Sequence, residues 1–292
     1  VEISRTCKEN FERLKDKMNK ATVIFTCFNR KEKTINCLKT ITQYNPNVVF
    51  DFIIVDDAST DGTLDEIEKL NLETQIIHGD GNLYWCGGMR RGIDAYLTRH
   101  LTETDYCLLI NDDVTFFERS IEKMFERLDG RKDTVVVGAT CNETGKFTYG
   151  LKAREKWYKK KITRRIEPSQ EEIQGETCNA NCVLMPSLIL KDIGNMDPVY
   201  RHSLGDYDLG FRMTKKGYKL ISSSDYVGVC NDNPIRGTWM DHSLSRMERL
   251  KKKESIKGSP ANEWWHFLYK NFGFISAVKY TVSPYIKILL NK

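Results

Sequence analysis

The chain has 292 residues, 40% of them hydrophobic and 29% charged, with a formal net charge of +5. That composition is ordinary for a globular protein, the charge is too small to argue for nucleic acid, and no apolar run approaches the roughly 20 residues a spanning helix needs. No secretory signal pattern opens the chain, and nine scattered cysteines without a CxxC pair or a histidine cluster read as reduced, buried thiols of a cytoplasmic protein.

In chain order, residues 1–20 carry Phe11, Leu14 and Met18 at helical spacing, which predicts an N-terminal amphipathic helix packed on the domain edge. Residues 21–28 form a first strand closing on Asn29-Arg30, and a helix over 31–44 stops at Asn45-Pro46. A second buried strand over 52–55 ends in paired acids, Asp56-Asp57. Residues 58–63 then make a turn that caps a helix over 64–70, and a short third strand covers 75–77. Strand and helix alternating in this way predict a parallel sheet with right-handed crossovers.

Residues 79–88 hold four glycines in a loop that leads into a helix over 89–99. Glycines there allow close backbone approach to a ligand, and the helix start can face an anion; a flexible turn is the alternative. The sequence Cys107-Leu108-Leu109-Ile110 then runs into Asn111-Asp112-Asp113. Four apolar residues read as a buried strand, and open α/β sheets bind ligands at the carboxyl ends of such strands. Adjacent carboxylates repel, so a cation is expected between or beside them, and hard oxygen ligands suit Mg2+ or Mn2+. A polar turn capping the next helix is the plainer reading of the same residues.

A helix over 120–128 and a buried strand over 134–138 follow. Residues 145–166 concentrate lysine and arginine around Trp157 and Tyr158, either as a solvated face or as a ribbon facing phosphate. Residues 178–185 resume a buried strand ended by Pro186, and 192–197 are a helix end and turn. A helix starting in 202–212 carries acids in its first turn, where Asp208 and Arg212 are spaced for an ion pair and Asp206 has no such partner. Residues 218–221 and 226–229 read as two late strands, antiparallel at the edge. Beyond 235 come a basic segment, an aromatic one around Trp264-Trp265, and an apolar end broken at Pro284. Basic, aromatic and short apolar helices together suggest a peripheral contact with an anionic membrane; a helical cover over the sheet or a homodimer contact is the alternative.

Taken in order, these segments resemble the family-2 glycosyltransferases over residues 22–229, with Val55-Asp56-Asp57-Ala58-Ser59-Thr60-Asp61-Gly62-Thr63 the most specific wording. The resemblance implies an α/β GT-A (Rossmann-like) fold, a mostly parallel sheet flanked by helices. With the readings at either end, the chain divides into an N-terminal helix over 1–20, a nucleotide-sugar-binding and catalytic domain over 21–235, and a basic, aromatic helical extension over 236–292. Phe28-Asn29-Arg30 looks like the family's first nucleotide-contacting segment, and Asp56 or Asp57 would hold the base or ribose. Asn82 with Gly87, Gly88 and the residues on to Gly92 resembles the stretch that closes over the nucleotide sugar; Thr26, Trp85, Arg90 and Asn111 complete the expected donor side. Asn111-Asp112-Asp113 sits where the family keeps a DxD motif, with Asn for the first acid. By that likeness Asp113 would hold Mg2+ or Mn2+ and Asp112 the ribose or sugar. Gly205-Asp206 resembles the family's Glu-Asp motif with Gly for Glu, which makes Asp206 the expected catalytic base. The acceptor side is expected at Asn179, His202, Asp208, Trp264 and Trp265.

The activity so implied is metal-dependent, inverting hexosyl transfer from a UDP- or dTDP-linked sugar to a saccharide acceptor that could be lipid-linked. The Asn111-Asp112-Asp113 and Leu83 to Gly88 wording is similar to rhamnosyl- and galactosyltransferases of bacterial cell-surface polysaccharide assembly, and the protein is expected in the cytoplasm or on the inner face of the plasma membrane. Two other classes stay open: a sugar-phosphate nucleotidyltransferase, whose Gly-rich phosphate loop after the first strand is missing here, and a non-catalytic binding module on the same fold.

Overall fold

The computed structural model describes residues 18–156 and 158–291; the helix expected over 1–20 falls almost wholly outside them. The first half runs β1 (Asn19–Cys27), α1 (Lys31–Gln43), β2 (Val48–Asp56), α2 (Thr63–Glu68), β3 (Thr74–His78), α3 (Tyr84–Leu97) and β4 (Tyr106–Ile110). β1 lies between β2 and β4 and is parallel to both, with Cys27 opposite Asp56 and Ile24 opposite Leu109. Because successive side chains leave a strand on opposite faces, Val23 and Phe25 feed one core while Ile24 feeds the other. Strands buried on both faces are what the unbroken apolar runs of the sequence encode.

The second half adds β5 (Thr115–Phe116), α4 (Ser120–Leu128), β6 (Thr134–Cys141), β7 (Leu151–Arg154), β8 (Thr163–Arg165), β9 (Gln174–Gly175), β10 (Thr177–Cys178), β11 (Cys182–Pro186), α5 (Ser187–Ile193), α6 (Gly205–Lys215) and β12 (Lys219–Val229). The main sheet has the order β3-β2-β1-β4-β11-β6-β12-β5, with β9 beside β12, and β10-β7-β8 form a separate small sheet. β11 is antiparallel to β4, Cys182 facing Ile110. That reversal carries the residues before β11, Asn179 to Asn181, to the edge where β1, β2 and β4 end. Three helices close the described chain: α7 (Arg246–Glu254), α8 (Ala261–Phe272) and α9 (Phe274–Leu289). The eight described cysteines are free and buried.

Several expected boundaries move for identifiable reasons. α3 begins at Tyr84 rather than 89, so Gly87 and Gly88 are helical. A Cβ on Gly88 would lie 2.2 Å from Thr26 Oγ1, and one on Gly92 2.6 Å from Ile24 Cγ2. Gly88 and Gly92 thus let α3 press on β1, and both are buried. The two late strands are one, β12, irregular between Ser222 and Gly228, parallel to β6 and flanked outside by β5; neither antiparallel to its main neighbour nor the edge. The strand expected over 178–185 splits into β10 and β11 around a turn. Pro284 sits inside α9 without ending it. A helical proline leaves the carbonyl four residues back without its amide donor, and here Tyr280 O accepts instead from Trp264 Nε1 at 2.9 Å.

Candidate functional site

The sheet register sets three loop starts side by side: Phe28 to Arg30 after β1, Asp57 after β2 and Asn111 to Asp113 after β4. They line one wall of a cleft of about 1800 Å3, together with Thr26, Tyr84 and Trp85. The facing side brings in Asn179, Asn181, His202 and Asp206, the β7–β8 hairpin, and residues of the C-terminal helices.

Each acid of the first wall has a defined partner set. Asp56 is buried and accepts from the Ser59 amide at 3.0 Å. Asp57 takes three backbone amides, Gly81 at 2.8 Å, Leu83 at 2.9 Å and Tyr84 at 3.3 Å, which pins the glycine loop and caps α3 with a negative charge. Gly79 lies so close to Asp57 that a Cβ there would stand 2.4 Å from Oδ1. Asn29, at a positive φ of 50°, ties the first two loops by accepting from the Thr60 amide at 2.8 Å. Arg30 forks across the central pair, Nη1 to Asp112 at 2.8 Å and Nη2 to Asp113 at 3.1 Å. The cation expected beside those carboxylates is therefore supplied by the chain itself. Burial still pushes Asp112 up to about 6 against the pull of Arg30. Asn111 Oδ1 accepts from Trp85 Nε1 at 2.9 Å, tying α3 to the end of β4.

Asp206 stands in the first turn of α6. It accepts from the Ala180 amide at 3.2 Å and the Tyr207 amide at 2.8 Å, and burial raises its carboxyl to about 6, with Lys152 pulling the other way. Lys152, on β7, is itself buried beside the Tyr207 ring and held down to about 8, burial first and Arg165 second. His202 is kept neutral, lowered to about 4 by burial and by Lys257 and Arg30. Buried polar atoms normally find partners, yet Asn179 Oδ1 and His202 Nδ1 have none among the described residues; both residues line the cleft.

Of the residues expected from sequence, Thr26, Phe28, Arg30, Asp57, Trp85, Asn111, Asp112, Asp113, Asn179, His202, Asp206 and Trp264 share this cleft. Asn29, Asp56, Asn82, Gly87, Gly88 and Arg90 lie behind or beside its wall; Arg90 spends its guanidinium on the carbonyl of Tyr200 at 2.5 Å. Asp208 is fully buried between Arg212 and Lys270, each at 3.0 Å, and does not reach the cleft. Trp265 stacks on Tyr269 at the surface, also outside it. Sequence reading passed over Lys152, one lysine of a basic run, and Tyr149 and Tyr84, whose only signal was their neighbourhood to the turns.

For a divalent ion the protein offers little by itself: among the described residues no group of three or more His, Cys, Asp or Glu is placed to hold one. A nucleotide-bound ion needs only one or two protein carboxylates, because phosphate oxygens complete its shell. Asp113, 17% exposed at its side chain and lining the cleft, fits that arrangement, with Asp112 adjacent.

Comparison with known proteins gives a match to the model of Glycosyl transferase family 2 over residues 22–188. No curated protein matches the chain. Among solved structures, mannosyltransferase PcManGT from Pyrobaculum calidifontis, in complex with GDP-Man and Mn2+, is similar at TM-score 0.56 and 13% identity, covering 98% of this chain and 81% of that one. S. aureus TarS 1-349 in complex with UDP-GlcNAc gives TM-score 0.57 and 12% identity over 93% of this chain and 90% of that one. GalNAc-T7 with UDP, GalNAc and Mn2+ gives 0.56 and 10% over 94% of this chain and 56% of that one. At these identities the likeness shows the fold, a GT-A α/β sheet with a C-terminal helical region.

Proposed function

The chain belongs to glycosyl transferase family 2, and on that premise we propose that it moves a sugar, with inversion, from a nucleoside diphosphate to a saccharide hydroxyl. What carries this reading is one observation: Asp57, Asp112, Asp113 and Asp206 line the same cleft although they come from three separate segments. The match leaves the nucleotidyltransferase alternative without support. GDP-Man, UDP-GlcNAc and UDP stand in the solved relatives, which favours a nucleotide-sugar donor; UDP- or dTDP-linked sugars remain the first to try. We place the reaction in bacterial cell-surface polysaccharide assembly on the wording of Asn111 to Asp113 and of Leu83 to Gly88.

In this reading the donor lies along the first wall, its nucleoside against Thr26, Phe28 and Asp57 and its diphosphate toward Arg30 and Asp113. Asp113, with Asp112, would hold Mg2+ or Mn2+, which when bound supplies Lewis-acid neutralisation of diphosphate charge. Arg30 and the lysines of the β7–β8 hairpin add fixed positive charge on the same path. Asp206 takes the proton of the acceptor hydroxyl as that oxygen attacks the anomeric carbon, while Asn179 and His202 offer their unpartnered atoms to sugar hydroxyls. His202, being neutral, donates or accepts without competing for the proton. Transfer in a single displacement needs no covalent nucleophile.

The test is a panel of nucleotides and nucleotide sugars with and without Mn2+, read first by thermal shift, since a ligand of the folded form raises its melting point by mass action. Donor hydrolysis is then measured on the hits. A shift with a diphosphate sugar and slow hydrolysis of it are expected; no shift with any of them would leave only the non-catalytic module.

A further inference from the structure

α9 is apolar on both sides. Its inner side buries Ser276, Ala277, Tyr280 and Ile288. On its outer side Ile275, Val278, Val282, Ile286 and Leu289 follow at spacings of three and four, a single stripe, with exposures from 40% at Val278 to 67% at Ile275. Phe274, 63% exposed, extends the stripe onto Trp265 of α8. Packing on the core requires only one apolar side of a helix, and a second, exposed apolar stripe of this kind marks a contact site.

Charge decides what makes the contact. The 29 residues from Trp264 to Lys292 hold four lysines and no Asp or Glu. The lysine-rich loop of the β7–β8 hairpin is clamped to the same helix: Lys159 O accepts from Lys279 Nζ at 3.0 Å and Tyr280 Oη at 2.8 Å, which places exposed Lys160 and Lys161 next to the stripe. A second copy meeting this face would set lysines against lysines. An anionic bilayer offers the two things the face lacks, a hydrocarbon boundary and negative headgroups.

We propose that the outer face of α9, with the hairpin lysines beside it, docks in the plane of an anionic membrane surface. At 16 residues α9 is about 24 Å long, and no helix among the described residues is long and apolar enough to cross a bilayer; the helix lies on the surface. Ser283, Pro284 and Lys287 of α9 also line the cleft, so docking opens the cleft at headgroup level and suits an acceptor sugar carried on a lipid. That last step rests on the glycosyl-transfer reading; the docking does not.

Co-sedimentation with vesicles of phosphatidylcholine alone and of phosphatidylcholine with phosphatidylglycerol tests it on the full chain. The protein pellets with the mixed vesicles, and a Val282→Glu, Ile286→Glu variant with an unchanged circular-dichroism melting curve loses at least roughly tenfold of that binding. A Lys159→Gln, Lys160→Gln, Lys161→Gln variant loses the part that depends on phosphatidylglycerol and on low salt. Absence of pelleting with anionic vesicles, or equal pelleting of the Glu variant, overturns the proposal. So does a dimer in light scattering that the Glu variant dissociates, which assigns the face to a second copy. Donor hydrolysis in vesicle-free buffer is scored separately, so that failure of the transfer reading and failure of docking give different results.

Discussion

The two walls of the cleft hold their polar groups in opposite ways. On the strand-end wall nearly every acid is committed: Asp57 to three amides, Asp112 to Arg30 and Thr34, Asp113 to Arg30. On the facing wall, among the described residues, Asn179 Oδ1 and His202 Nδ1 are unpartnered, and Asp206 accepts from two backbone amides with no cation in bonding contact. A committed wall is a rigid mould, suited to a constant group such as a nucleoside diphosphate. An uncommitted wall keeps its hydrogen-bonding capacity for a partner that arrives later, and a raised carboxyl there suits a base more than a binding group.

The sharpest break in that contrast comes from two aspartates two residues apart. Asp206→Asn is expected to lower kcat by roughly 10²–10⁴ while donor-induced thermal shift stays and Tm holds or rises, since its ionised form is disfavoured by burial. Asp208→Asn is expected to do the reverse. It removes a buried charge shared by Arg212 and Lys270, and such a loss costs about 3–5 kcal/mol of stability, read by chemical denaturation. If Asp206→Asn kept full turnover, the facing wall would lose its chemistry and the cleft would be a binding site only.

Within the mould, Asp57→Asn tests whether rigidity serves the donor. One carboxylate oxygen becomes a donor opposite amides that also donate, so one or two bonds to Gly81, Leu83 or Tyr84 must break, for about 1–3 kcal/mol. Donor thermal shift is expected to shrink with it, and KM to rise more than kcat falls. An unchanged KM would mean the glycine loop does not shape the donor pocket.

How far the sequence foretold these walls follows from how local each one is. Asp56-Asp57 and Asn111-Asp112-Asp113 are strand ends within the matched segment, so the apolar run and the acids that stop it are visible in a few consecutive letters. Arg30 was legible as a neighbour of the first strand, but not as the cation between Asp112 and Asp113, because that pairing depends on β1 and β4 being adjacent. The glycine run reads as a loop, yet Gly87 and Gly88 are helical, and at Gly88 the press of α3 on β1 is what excludes a side chain. The facing wall collects residues from segments far apart in the chain, among them Lys152, Asn179, His202, Asp206 and Trp264. A reversed strand and a proline-relieved carbonyl bring some of them in, and neither has a short-range signature. Asp208 shows the limit plainly, since a first-turn acid can face the cleft or the core and the letters alone do not say which.

Acidity offers a gentler probe of the facing wall. A base must be ionised to act, and the folded-state value for Asp206 is about 6; activity is therefore expected to rise with pH up to about 6 and level off above it, falling about tenfold per unit on the acid side. Asp206→Asn should abolish that limb in whatever activity survives. A flat profile between pH 5 and 7, chosen as roughly one unit either side, would assign the proton to another group.

The smallest effect expected belongs to Lys152, and it bears most directly on why the two walls differ. Its ammonium is buried, lowered to about 8, and pulls Asp206 downward from the value that burial alone would set. Lys152→Met keeps the packed stem against Tyr207 and removes the charge, so the ionised form of Asp206 loses a stabilising partner. The sign follows: the acid limb moves to higher pH, while the plateau rate changes little because Lys152 is not itself required to transfer the proton. A structural role alone would lower Tm and the plateau together and leave the limb in place. By about pH 8, where the wild-type lysine is itself giving up its proton, Asp206 at about 6 is ionised in both proteins, so their rates should agree there, and a gap that persisted into alkaline buffer would show that residue 152 does more than tune Asp206.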